Sequence, residues 1–499
     1  MTFPSILYGV FLLSVCGVYW SVEQTWLRLW MLLVASLVFY SSLQPQYVPL
    51  LVAIAFVNFR LGCDMGTDVK RKDIPEKVWR SGQPDWNRRR LVLLCFGIAL
   101  NVLLLLGFKY IPFILTTVGT VADLPGAIAS AQWISTNWIA PLGLSFFCFE
   151  SIAYLIDVYR GAPASRQFLE YVTYKLFFPK LISGPITRYH QLSTQLKTLT
   201  FPTTEKIAEG LWLIAFGAAK KALIADRLGI FVDLSFDNLL RAGSVDLWLA
   251  TFAYGLQLYL DFSGYVDIVR GSALLLGLNL PENFDYPYFS RSIADFWRRW
   301  HMTLGDWLRN YLYFPLGGSR LGLVRTCLNL LTIMLIAGIW HGAAWGFIVW
   351  GILHGLALVI HRLTEALSKR QESLQNWWQS IPGTLCAWGI TQVMVFVSWI
   401  FFRLPNLRES TWAIAHLFGH SADPQYVQKV YLETMGLNPL QFGLLLWLLV
   451  GLMAIVYTVH RQLKLQLNWP LKLFLVPVCL YAVWQLAPQG GLPYIYFDF

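Results

Sequence analysis

Residues 321–361 read LGLVRTCLNLLTIMLIAGIW, then HGAA, then WGFIVWGILHGLALVIH: two apolar runs separated by His341, Gly342, Ala343 and Ala344. A helix that crosses a bilayer needs about 20 mostly apolar residues. Similar runs recur at roughly 5–20, 27–42, 47–61, 91–118, 139–158, 207–224, 244–262, 265–280, 384–403, 441–459 and 471–487. The pattern predicts an all-α, polytopic membrane protein with about 11–13 membrane segments. Several runs are short of a full span and read as half-helices or re-entrant pieces. Such backbone is tolerated at membrane depth only where protein or a water-filled cavity covers it, so it points to a buried site.

Composition agrees. Of 499 residues, 56% are hydrophobic, 16% aromatic and 13% charged, against roughly 25% charged in soluble proteins. With a mean hydropathy of +0.52, there is too little polar surface to coat a soluble multidomain enzyme. The net charge of +10 follows from topology, because cytoplasmic loops retain Lys and Arg. No basic run has nucleic-acid-reading chemistry, so no nucleic-acid partner is expected. Segment 60–90 carries Arg60, Lys70, Arg71, Lys72, Lys77, Arg80, Arg88, Arg89 and Arg90, whereas 119–138 has no Lys or Arg. The first is expected inside and the second outside, with 160–206, 361–371 and 460–472 also inside. Counting spans then places both ends of the chain outside the cytoplasm.

Seven cysteines without a CxxC pair suggest neither a disulfide framework nor zinc. No Lys or Arg precedes the first apolar run and no small-x-small site follows it, so that run is expected to stay as a membrane helix. Leu13-Ser14-Val15-Cys16 is a poor lipoprotein box because of Val15. Without repeats or low-complexity stretches, residues 1–499 read as one membrane domain.

Three polar stretches break the pattern, and an ionisable group at membrane depth is a functional-site candidate by default. In 291–320, Trp297, Trp300, Leu304, Trp307, Leu308 and Tyr311 recur at helical spacing, opposite Arg291, Asp295, Arg298, Asp306 and Arg309. This predicts one amphipathic interfacial helix, with His301 at the edge of its aromatic stripe. In 338–355, His341 stands between two apolar runs. It is either a packed histidine or a general base, since a neutral imidazole can take a hydroxyl proton near pH 7. His354 reads as packing. Asp261-Phe-Ser-Gly-Tyr-Val-Asp267 closes one run and opens another. Its carboxylates and hydroxyls at an expected helix break suit a cation, a histidine or broken backbone groups, without metal-ligand spacing.

The runs Trp340-His-Gly-Ala-Ala-Trp-Gly-Phe347 and Trp350-Gly-Ile-Leu-His-Gly355 resemble the signature of the membrane-bound O-acyltransferases, in the alginate O-acetylase-like branch. So do Asp295-Phe-Trp-Arg-Arg-Trp-His-Met-Thr-Leu304, Pro141–Phe147, Tyr154–Arg160, Pro179–Arg188, Asp261–Tyr265 and the stretch Tyr494–Phe499. The resemblance runs from about residue 40 to the end and is strongest over 140–360. It implies a fold around a central tunnel, with His341 as catalytic base and His301 as second catalytic position and candidate oxyanion donor. It implies transfer of an acetyl or other acyl group from a cytoplasmic thioester, acetyl-CoA or an acyl carrier, to hydroxyls of an exported polysaccharide such as alginate, without a tightly bound cofactor or metal. Arg298, Arg299 and Arg309 are candidates for the donor's phosphates, with lipid headgroups an equal alternative. Asp261, Ser263 and Trp340 are candidate substrate contacts. The resemblance further implies an inner-membrane, multi-pass, lipid-embedded location and an extracytoplasmic acetyltransferase partner. The alternatives are D-alanyl or peptidoglycan O-acyl transfer, or a non-catalytic transporter, although no two-half symmetry is visible. Three positions differ in detail: Gly346 stands where relatives often carry Asn, and Thr303 and Gly305 surround the second histidine.

Overall fold

Every regular element is a helix in the computed structural model, which describes residue 3 and residues 5–66, 88–488 and 490–497. The basic residues Lys70, Arg71, Lys72, Lys77 and Arg80 lie outside the described residues. Seven described helices are long and apolar enough to cross a membrane: Pro45–Gly66, Arg88–Val121, Gly322–His341, Trp345–Ser368, Ile381–Arg403, Pro439–Gln462 and Trp469–Leu486. Ile6–Trp20 and Thr25–Ser41 are shorter apolar helices. The protein is thus an all-helical, multi-pass membrane protein. Leu444, Trp447, Leu448, Leu452 and Ile455 stand exposed along one helix, and only 11% of that helix's apolar window is buried within the protein. A continuous apolar face of this kind is what lipid, not water, accommodates.

The chain divides into two compact units, Met1–Ile214 with Ile268–Pro281, and Ala215–Asp267 with Glu282–Phe499. In the first unit, helix Leu144–Tyr159 is buried along nearly its whole length. It starts at Gly143, whose φ of 77° suits glycine and where a Cβ would come within 2.5 Å of the Leu181 carbonyl. It ends on Arg90, whose guanidinium donates to the carbonyls of Val158 (3.0 Å) and Tyr159 (2.9 Å) and so satisfies the last turn. Asn101 donates to Asn58 across two apolar helices at 2.8 Å, and Glu150 holds Lys180 at 2.6 Å.

The second unit contains a helical hairpin of Gly322–His341 and Trp345–Ser368. It closes on glycine: Gly338 faces the Phe347 carbonyl, and a Cβ on Gly351 would lie 2.5 Å from the Met334 carbonyl. Small residues allow this backbone approach, and in lipid such packing replaces the hydrophobic effect between helices.

Two expected boundaries differ. The runs 244–262 and 265–280 are not separate, because Ser244–Leu275 is one continuous helix. The two aspartates of the expected break remain helical because each meets a lysine at 2.6 Å, Asp261 with Lys221 and Asp267 with Lys220. Conversely, 291–320 is not one helix. It splits into Ile293–Arg299 and Met302–Leu308, followed by the π-helical Arg309–Tyr313. Helical spacing cannot reveal this break, since the apolar side chains on both pieces point inward: Phe296, Trp300, Leu304, Trp307 and Tyr311 are all buried.

Candidate active site

His341 ends its helix, and Gly342 turns the chain out of it in extended conformation. A side chain on Gly342 would collide with the Phe347 ring, so only glycine lets the chain leave here while Phe347 stays packed. The His341 imidazole is buried, 2% exposed, with ring centroids of Trp340, Trp350 and Phe402 at 4.9, 5.0 and 5.1 Å.

His301 sits at the break between the two short helices, fully buried, with φ 43° and ψ 55°. A left-handed backbone is costly for any residue with a Cβ and persists only where surroundings enforce it. Asn283 provides much of that enforcement. Its backbone carbonyl accepts from Met302 N–H at 2.9 Å. Its Oδ1 accepts from Thr303 N–H at 3.0 Å and Thr303 Oγ1 at 2.8 Å, with His301 Nδ1 at 3.3 Å. The Thr303 N–H can only donate, which identifies the amide atom there as oxygen. His301 Nδ1 must then carry its proton, and Nε2 the lone pair. Burial pushes this imidazole down to about 3, so it is neutral at ordinary pH.

The two histidines, far apart in sequence, share neighbours. Trp340 lies 6.2 Å from His301 and 4.9 Å from His341, and Tyr496 lies 6.0 Å from each, ring centroid to centroid. Phe262 adds a wall, 5.0 Å from His301 and stacked on Tyr496 at 3.9 Å.

The other candidates are placed differently. Asp261 Oδ1 is paired with Lys221, and Oδ2 accepts from Ile495 N–H at 3.0 Å, so both its oxygens are engaged within the protein. Ser263 Oγ is buried and has no hydrogen-bond partner among the described residues. Arg299 pairs with Asp295 at 3.0 Å and Arg309 with Asp306, while Arg298 is exposed. His354 accepts from Trp297 Nε1 at 3.3 Å, and its Nε2 meets Ser398 Oγ at 2.9 Å, a packed and satisfied histidine. No group of three or more metal-ligating side chains occurs among the described residues. Asn283, Lys221 and Tyr496 were not assigned roles from sequence. The contacts that tie them to the site, Asn283 to His301, Lys221 to Asp261 and Tyr496 to the histidines, span 18 or more residues, and no short motif encodes such a pairing.

Two buried imidazoles enclosed by shared aromatic rings are groups with the chemistry to exchange protons at membrane depth, which makes this the candidate site. Residues 99–400 match the model of the membrane-bound O-acyltransferase family. The chain is 36% identical to "Probable alginate O-acetylase AlgI" of Pseudomonas syringae pv. tomato, over 82% of this chain and 73% of the relative. It is 34% identical to the peptidoglycan O-acetyltransferase of Helicobacter pylori over 79% and 74%. It is 27% identical to the teichoic acid D-alanyltransferase of Bacillus subtilis over 49% and 65%. The chain belongs to the membrane-bound O-acyltransferase family and is an O-acyltransferase that uses an acyl donor substrate.

Proposed function

We propose that this enzyme transfers an acetyl group from a cytoplasmic thioester, acetyl-CoA or an acyl carrier, to hydroxyls of an exported polysaccharide of alginate type, acting as a single domain over 1–499 in the inner membrane. The observation that carries the reading is the common enclosure of His341 and His301 by Trp340 and Tyr496. His341 removes the proton of the acceptor hydroxyl, whose oxygen attacks the thioester carbonyl. The new C–O bond forms, the C–S bond breaks, and the thiolate leaves with the proton from the His341 imidazolium.

The tautomer of His301 changes its expected part. With the proton on Nδ1, Nε2 accepts a hydrogen bond, so His301 orients the acceptor or shares the proton and is not the oxyanion donor. Arg298, exposed and outside the carboxylate pairs of Arg299 and Arg309, is the strongest of the three arginines for the donor's phosphates. Ser263, with its buried hydroxyl, is favoured over Asp261 as a substrate contact, and Trp340 lines the site. Acetyl is favoured over D-alanyl transfer because the two O-acetylating relatives cover about four-fifths of the chain and the D-alanyltransferase about half. An extracytoplasmic acetyltransferase is the expected partner. The test is His341→Ala in a strain lacking the native gene, with membrane insertion confirmed and polysaccharide O-acetylation measured. Acetylation is expected to vanish, and wild-type levels would remove His341 from the chemistry.

A further inference from the structure

Asp261, Asp226 and Lys221 form a buried ion cluster in the second unit, and two of its contacts reach main-chain atoms of one distant segment. Lys221 Nζ lies 2.6 Å from Asp261 Oδ1, 2.8 Å from Asp226 Oδ1 and 2.9 Å from the Pro493 carbonyl. Asp261 Oδ2 accepts the Ile495 N–H. The Tyr494 ring lies beside the ammonium at 4.6 Å. Lys221 sits on the π-helical turn Lys220–Ala225, a wide turn that often marks a functional site.

The same helical stretch that carries Asp261 also receives the segment's aromatic rings. Phe262 stacks on Tyr496 at 3.9 Å, and Tyr265 lies 5.1 Å from Tyr494 and 5.8 Å from Phe497. Gly229 makes room for Leu492, because a Cβ there would come within 2.5 Å of the leucine's Cδ1. Apart from the single turn Ile495–Phe497, residues 490–497 have no regular structure of their own, so their position depends on these contacts.

We propose that the Lys221–Asp261–Asp226 cluster is a positioning device that clamps residues 491–497 into the wall of the site, so that the Tyr496 ring stays against both His301 and His341. The inference rests on the reading of that site as the reaction centre. A buried ion pair adds little net stability over apolar packing, whereas fixing one arrangement is a use it serves well. Here the arrangement fixed is that of the segment carrying Tyr496. Lys221 and Asp261 are positioning residues, and Tyr496 is the wall through which they act.

The test is a double-mutant cycle in the purified full chain, with an acetyl thioester as donor and an oligosaccharide acceptor. Lys221→Met, Asp261→Asn, Tyr496→Ala and Lys221→Met/Tyr496→Ala are compared with wild type for kcat and KM, on protein that elutes monodisperse. Each single change is expected to lower kcat on the order of 10- to 100-fold with donor KM within about twofold, and the double variant to be no worse than the worse single. Losses that multiply would overturn the clamp, as would a pure KM effect. Tyr496→Phe, which keeps the ring, is expected within about threefold of wild type, and a loss equal to that of Tyr496→Ala would overturn the ring's role as a wall. If Lys221→Met does not fold, Asp261→Asn carries the cycle, since it keeps an acceptor for Ile495 N–H. His341→Ala separates the two readings: full activity sinks the reaction centre itself, while an inactive His341→Ala with multiplying losses in the cycle sinks only the clamp.

Discussion

Asn283 Oδ1 faces His301 Nδ1 at 3.3 Å while accepting two hydrogen bonds from Thr303. One amide therefore caps the Met302–Leu308 helix from outside and sets the imidazole's proton. Asn283→Asp keeps an acceptor there but adds a charge that stabilises the imidazolium. The His301 pKa then rises from its burial-depressed value, and at any pH below it Nε2 is protonated and cannot accept. The acid limb of kcat against pH is expected to move upward in Asn283→Asp. In wild type that limb should carry no titration of His301 near neutrality, because the imidazole titrates at about 3. An unchanged profile would show that Asn283 does not govern the imidazole.

The membrane class is legible in sequence because hydropathy is a local signal, and His341 stands out as a candidate because a histidine followed by Gly342 between two apolar runs is local too. Helical spacing puts His301 on a continuous helix, whereas the structure puts it in a left-handed turn between two short helices. Apolar spacing runs through 293–311 as if the helix were continuous, and the left-handed turn at His301 is held by Asn283 from another stretch of chain. The opposite error arose at Asp261–Asp267. Two carboxylates read as a helix break only because Lys220 and Lys221, which neutralise them, lie 47 and 40 residues earlier. Burial of Tyr496 against the histidines depends on long-range packing that composition does not encode.

The left-handed backbone at His301 gives a way to separate its chemistry from its fold. Asn tolerates this region, whereas a β-branched residue does not. His301→Asn is expected to fold with a thermal midpoint within a few degrees of wild type and to lose about 100-fold or more in kcat. His301→Val should instead be destabilised by about 1–3 kcal/mol from backbone strain. Melting curves in detergent alongside acyl-transfer assays check both, and an active His301→Asn would reduce His301 to a structural role.

Gly346 is held where packing leaves no room for a side chain. A Cβ would lie 2.6 Å from Pro405 Cα and 2.7 Å from the Phe401 carbonyl, both main-chain atoms, and Gly346 N–H donates to the Pro405 carbonyl at 2.9 Å. Gly346→Asn is expected to cost about 1–3 kcal/mol by overpacking. Because Phe402 borders His341, a shifted 401–405 backbone should also reduce turnover. A variant with unchanged melting temperature and kcat would show that the Pro405 segment yields freely.

Lys175 offers a pH test in the first unit. It is buried, donates to the Phe147 carbonyl at 2.7 Å and lies 3.5 Å from Glu150, which Lys180 approaches more closely at 2.6 Å. Burial pushes Lys175 down to about 7, with Glu150 opposing the shift and the charge of Lys180 adding to it. An unfolded lysine titrates at about 10.4, so between about pH 7 and 10 the unfolded chain binds more protons than the folded one. Stability must then rise with pH across that window, the cost of burying a charge being largest below about pH 7. Thermal midpoints in detergent are expected to climb from pH 7 towards 10 in wild type and to be flatter in Lys175→Met. Equal slopes in the two proteins would mean that Lys175 keeps its proton in the folded state, held by Glu150 more strongly than burial opposes it.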